Sequence, residues 1–176
     1  MITPEKDCRL CGLCEGRTNI VLPDGDPGSR VVFVGEGPGE NEDLQGRPFV
    51  GKSGKILEDA MAEAGFGRSQ VLITNTVKCR PPGNRDPRPE EMEACRPFLV
   101  SELEGRALVV GLGKSAVRDL MGFDGKMAEV TNRVTEIDIG CTRVNFLPTY
   151  HPAATIYNRD ARAALKDAMR IVKEYL

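Results

Sequence analysis

The chain has 176 residues, 24 basic against 26 acidic, for a net charge of −2, and 40% of it is hydrophobic. That length supports one domain with a proper core and is short for two, and the composition is ordinary for a soluble globular protein. No run of about 18 apolar residues could form a membrane-spanning helix. MITPEKDCRLC at the N-terminus lacks the apolar core of a signal peptide, so an intracellular, cytoplasmic protein is expected.

Residues 1–30 carry Cys8, Cys11 and Cys14, then turn signals at Pro23-Asp24-Gly25 and Asp26-Pro27-Gly28. They read as a cysteine-bearing arm lying over the domain, with little regular structure beyond a turn of helix. Val31-Val32-Phe33-Val34, closed by Gly35, reads as a strand buried on both faces, as in a parallel sheet. The loop after it, with Gly35, Gly37, Pro38 and Gly39, is poor in side chains, so its backbone can approach a ligand and present N–H groups. Carboxyl ends of strands are where open α/β sheets bind ligands, which makes Glu36 the first candidate for chemistry. Glu40-Asn41-Glu42-Asp43 reads equally well as a solvated acidic run.

After the loop Gly46–Lys52, Ser53 is expected to cap a helix with Ile56, Leu57, Ala60, Met61 and Ala64 on one face, ended by Gly65. Val71–Thr74 forms the second strand, with Asn75 at its carboxyl end. The stretch Lys78–Pro89 contains four prolines and can be neither helix nor central strand. A helix over residues 90–104 follows, then a strand over 107–111 and a short helix over 114–121. Residues 129–147 alternate as a hairpin leading into the last strand, Val144–Pro148, with His151-Pro152 just beyond. Asp160 is expected to cap a final helix striped by Ala161, Ala164, Leu165, Ala168, Ile171, Val172 and Tyr175. This order predicts a single α/β domain over 1–176. Its three α/β/α layers enclose a central, mainly parallel four-stranded sheet over 31–176. Glu36, Asn75 and His151 all follow strands and would converge on one edge.

Six cysteines in an intracellular chain point to metal or redox chemistry before disulfides. Cys8 and Cys11 could meet Cys79 and Cys95 if the arm folds beside the proline-rich loop. The fifteen residues between Cys79 and Cys95 suit zinc poorly, while an iron–sulfur cluster tolerates irregular spacing. Cys14 could compete as a ligand, and Cys141 reads as a small buried hydrophobe.

GEGPGENED, GRPFVGKSG, ITNTVKCRPPGNRDP and YHPA, in this order and with these cysteine spacings, resemble the family 4 uracil-DNA glycosylases, the iron–sulfur branch of that superfamily. The resemblance implies a [4Fe–4S] cluster on Cys8, Cys11, Cys79 and Cys95. It implies hydrolysis of the N-glycosidic bond of uracil in single- or double-stranded DNA, to leave an abasic site. It implies that Gly35, Glu36 and Gly37 form the catalytic loop, that Phe49 stacks on the flipped base, that Asn75 reads its edge, and that His151 belongs to the second catalytic motif. A monomer associated with the nucleoid, with a sliding clamp as a candidate partner, is expected.

Lys78, Arg80, Arg85 and Arg88 form the basic stretch expected to meet DNA phosphates, with Ser53 and the start of its helix holding another. Ala154-Thr155-Ile156-Tyr157 departs from the family pattern after HPA, which leaves Ile156 or Tyr157 to act as the wedge in the duplex. The resemblance places Gly37 where other branches of the superfamily have a catalytic Asp, so Glu36 must carry more of the load; with Gly39 small, rejection of thymine's methyl falls to Glu40 or Glu42. The rival to a glycosylase is a catalytically weak iron–sulfur module that binds nucleic acid; a redox carrier is a more distant third.

Overall fold

The computed structural model describes residues 1–176. Six strands form one sheet: β1 (Asp24–Gly25), β2 (Val31–Gly35), β3 (Leu72–Asn75), β4 (Leu108–Leu112), β5 (Thr135–Ile139) and β6 (Thr142–Thr149). Their order is β1-β3-β2-β4-β6-β5. The four inner strands are parallel, as expected, and β1 and β5 add an antiparallel strand at each edge, so the count of four was short by two. The hairpin reading anticipated β5; β1 hid inside a turn signal. Gly25, at φ +106°, brings that turn against the edge of β3 so closely that a β-carbon would stand 2.1 Å from the Val71 carbonyl.

Five helices cover the sheet: α1 (Glu40–Gln45), α2 (Lys52–Ala64), α3 (Pro89–Leu103), α4 (Lys114–Met121) and α5 (Arg159–Lys173). Alternate side chains of a strand point to opposite faces, and both faces of β2 are apolar. Val31 and Phe33 join Leu57 and Met61 of α2 and Leu165, Met169 and Val172 of α5 in one cluster. Val32 and Val34 join Leu99 and Leu103 of α3 and Val117 of α4 in the other. No helix is long and apolar enough to cross a membrane.

Two expected caps are replaced. Gly51, not Ser53, precedes α2, and Ser53 lies inside its first turn. Asn158, not Asp160, caps α5, its Oδ1 accepting from the N–H of Asp160 at 2.9 Å and of Ala161 at 3.1 Å. Asp160 falls one residue inside the helix start, where a side chain no longer reaches the first-turn N–H groups. The acidic run Glu40–Asp43 is not simply solvated: it makes α1, with Asp43 buried. Cys141 is exposed at the tip of the β5–β6 hairpin rather than buried.

Candidate active site

Parallel pairing aligns Gly35 at the end of β2 with Asn75 at the end of β3, so the Gly-rich loop and the asparagine start side by side. On the other flank Gly113, at the end of β4, donates its N–H to Thr149 of β6 at 2.9 Å, two residues before His151. Into this sheet edge opens a cleft of about 620 Å³ lined by Glu36, Phe49, Asn75 and His151, with Gly37, Gly39, Ser53 and Arg85 around them. Four residues from distant parts of the chain thus share one cavity.

Gly35 makes the arrangement possible, since a β-carbon there would stand 2.5 Å from Asn75 Oδ1 and 2.6 Å from Phe49 Cζ. Asn75 is buried at the strand end, and no protein group takes up the hydrogen-bonding capacity of its amide. Phe49 is only 6% exposed and belongs to the core on its inner side, while its ring lies 5.7 Å from that of His151, tilted by 31°.

The two titratable residues are displaced in opposite senses. Burial pushes the Glu36 carboxyl up, opposed by a hydrogen bond from Ser115 and reinforced by the charge of Asp86. Burial pushes His151 down to about 4, so its ring is neutral near pH 7. The Ala153 N–H donates to His151 Nδ1 at 3.1 Å; that nitrogen must therefore be an acceptor, and the ring proton sits on Nε2.

The basic stretch divides. Lys78 is not available to a phosphate: it is 1% exposed, and its Nζ donates at 2.7 Å each to Glu102, Thr74 Oγ1 and the Asn75 carbonyl. The correction has a physical reason: the segment after β3 is buried throughout, and Glu102 of α3 offers the ammonium a carboxylate there. Arg80 donates to Asn84 at 2.7 Å, and Arg85, on the cleft wall, forks onto the Glu91 carboxylate at 2.6 and 2.9 Å. Arg88 is exposed. Of the two wedge candidates, Tyr157 stands 93% exposed, whereas Ile156 lies in a groove between α2 and α5. Glu42 is occupied too, its carboxylate accepting from the N–H of Gly39 at 3.3 Å and Gly51 at 3.0 Å, which ties the Gly-rich loop to the Phe49 loop.

A second hollow adjoins the first through Glu36 and His151 and is lined by Asp86, Lys114, Ser115 and Arg118. Reading the chain for motifs missed these residues. Their signal was strand, glycine, helix start at Gly111-Leu112-Gly113-Lys114-Ser115, the same pattern that drew attention to the stretch after β2.

Cys8, Cys11, Cys79 and Cys95 line one narrow pocket beneath the arm, with Arg17 and Phe98; Cys14 does not line it. Burial raises the thiols of Cys11 and Cys95 and takes Cys79 to about 11, partly offset there by an Arg17 N–H at 3.5 Å from Sγ. No three His, Cys, Asp or Glu side chains in the chain form a group able to hold a single metal ion.

The family model of the uracil-DNA glycosylase superfamily matches residues 22–173. A type-4 uracil-DNA glycosylase of Thermotoga maritima is 45% identical over 158 residues, covering 88% of this chain and 80% of its own length. Those of Sulfurisphaera tokodaii and Archaeoglobus fulgidus are each 40% identical, over 95% of this chain and 79% and 87% of their own. The matched segment runs from the edge strand β1 to the end of α5, taking in all six strands and five helices, and the chain belongs to the uracil-DNA glycosylase superfamily, among its type-4 members.

Proposed function

We propose that the chain removes uracil from DNA by hydrolysing its N-glycosidic bond, with Glu36, Phe49, Asn75 and His151 as the residues that do it. The observation that carries this is their shared cleft at one sheet edge. A base must leave the duplex stack before its glycosidic bond can be reached. Phe49 is the platform for the extruded ring. The Asn75 amide donates to uracil O4 and accepts from N3–H, a pattern that cytosine reverses.

As the C1′–N1 bond lengthens, its electron pair goes to uracil and the sugar becomes cationic. The Glu36 carboxylate faces that cation and takes a proton from the water whose oxygen bonds to C1′. His151, neutral, donates from Nε2–H to the departing base's oxygen, favouring the anion without giving up its proton. Lys114, Ser115 and Arg118, Lys52 and Ser53 at the start of α2, and the exposed Arg88 suit the flanking phosphates, and Tyr157 is the side chain free to wedge into the duplex.

Cys8, Cys11, Cys79 and Cys95 are the residues that would hold a [4Fe–4S] cluster. Four cysteines from two distant segments line one pocket, and the fifteen residues between Cys79 and Cys95 suit an iron–sulfur cluster better than zinc, which is usually gripped by pairs of short spacing. Such a cluster supplies iron–thiolate bonds that cross-link the arm to the proline-rich loop.

The test is incubation with a uracil-containing oligonucleotide followed by alkali. A strand break at uracil, lost in Glu36→Gln, is expected; an intact strand with the wild-type protein overturns the proposal.

A further inference from the structure

Phe49 stands at φ +52°, in the left-handed region that a residue with a β-carbon enters only at a cost. Arg68, in the short 3-10 turn before β3, donates from Nη1 to the Phe49 carbonyl at 2.8 Å and from Nη2 to the Pro48 carbonyl. Its Nε is anchored on Asp24 at 2.7 Å, and Nη1 also reaches Glu58 at 3.2 Å. Gly54 leaves space for the same Phe49 carbonyl, since a β-carbon there would stand 1.8 Å from its oxygen. Arg68 lines no part of the cleft, and its side chain is 12% exposed.

We propose that Arg68 is a positioning residue for uracil excision: its fork onto two successive carbonyls holds Phe49 in the left-handed conformation that lays the ring in the base slot. The assignment rests on Phe49 being the stacking platform. Only a planar guanidinium presents two parallel N–H donors while a third holds Asp24; a lysine ammonium is a point charge that cannot hold both carbonyls in one plane. Without the fork, the backbone at Phe49 relaxes toward negative φ and carries the ring away from His151.

The experiment is a double-mutant cycle of Arg68→Lys and Phe49→Ala, reading the rate of uracil release at saturating enzyme, with melting curves to choose a temperature at which every variant is folded. Arg68→Lys is expected to lower the rate about tenfold when Phe49 is present and less than twofold in the Phe49→Ala background. It is also expected to weaken inhibition by free uracil in step. Equal losses in both backgrounds, or no loss in either, would overturn the proposal. If Arg68→Lys does not fold, Asp24→Asn replaces it, since it weakens the anchor and leaves the fork; about threefold loss confined to the Phe49 background is expected, and a loss of equal size in both overturns. A wild-type rate in Phe49→Ala alone marks a different failure, that of the stacking platform itself, and the Arg68 assignment falls with it.

Discussion

Glu36 and His151 titrate in an order that suits their proposed roles. His151, lowered to about 4, is neutral over most of the acid range, whereas Glu36 is raised by its burial and by Asp86. The acid limb of the rate profile therefore belongs to Glu36: activity falls as pH drops through its raised pKa. His151→Gln, which keeps an N–H donor, is expected to lower the plateau and leave that limb where it is; a limb that moves with this change would assign it to the histidine. Replacing His151 by Ala removes the donor and is expected to cost about 10²–10³ in rate. The histidine also predicts a stability trend. Unfolded, it titrates near 6.5 and folded near 4, so between those values the unfolded chain binds more protons. Its contribution makes the protein less stable as pH falls from about 6.5 to about 4, and urea unfolding of His151→Gln should lack that part of the slope.

The end of β3 does more than carry a site residue, because the end of α3 packs behind it. Lys78 and Glu102 form a buried ion pair at 2.7 Å behind Asn75, with Thr74 donating to the same carboxylate at 2.8 Å. Removing one member leaves a charge without its partner in a dry interior, so Lys78→Met is expected to cost about 3–5 kcal/mol in denaturant unfolding. The same change should leave the salt dependence of DNA binding untouched, because Lys78 meets no solvent. Arg88→Ala, at the exposed start of α3, should lower that slope by about one with little change in stability. A Lys78 variant with a shallower slope would contradict the inward placement. Legibility differs along these elements for one reason. A long apolar stripe such as that of α5 states its own helix, while α1 is six residues, nearly all polar, and exists because Glu42 and Asp43 find backbone N–H groups from other segments.

Across the molecule, the arm is fastened at several separated points. Asp43 accepts from the N–H groups of Thr18 at 2.8 Å and Asn19 at 3.1 Å, Val21 donates to the Lys78 carbonyl at 2.7 Å, and Ile2 donates to Ser101 at 2.8 Å. The four cysteines lie between these fastenings. Purified protein is expected to hold iron and acid-labile sulfide in equal amounts, and stoichiometric zinc in their place would overturn the cluster. Cys79→Ala should lose the iron and expose residues before Asp24 to limited proteolysis, while the sheet, whose two cores do not involve that segment, stays folded.

Local order in the chain was enough to announce the parallel layers, the Gly-rich loop and the cysteine set, because hydrophobic period, glycine and cysteine spacing are properties of short windows. It could also place Glu36, Asn75 and His151 after strands, since parallel strands put all their carboxyl ends on one edge. Only the folded chain decided where Lys78 points, that Glu42 is engaged with the backbone of Gly51, and that Arg68 reaches Pro48 and Phe49 across twenty residues. Those outcomes depend on which polar group meets which across long sequence distances. Burial and pairing in three dimensions set that, and no window of neighbouring residues contains it.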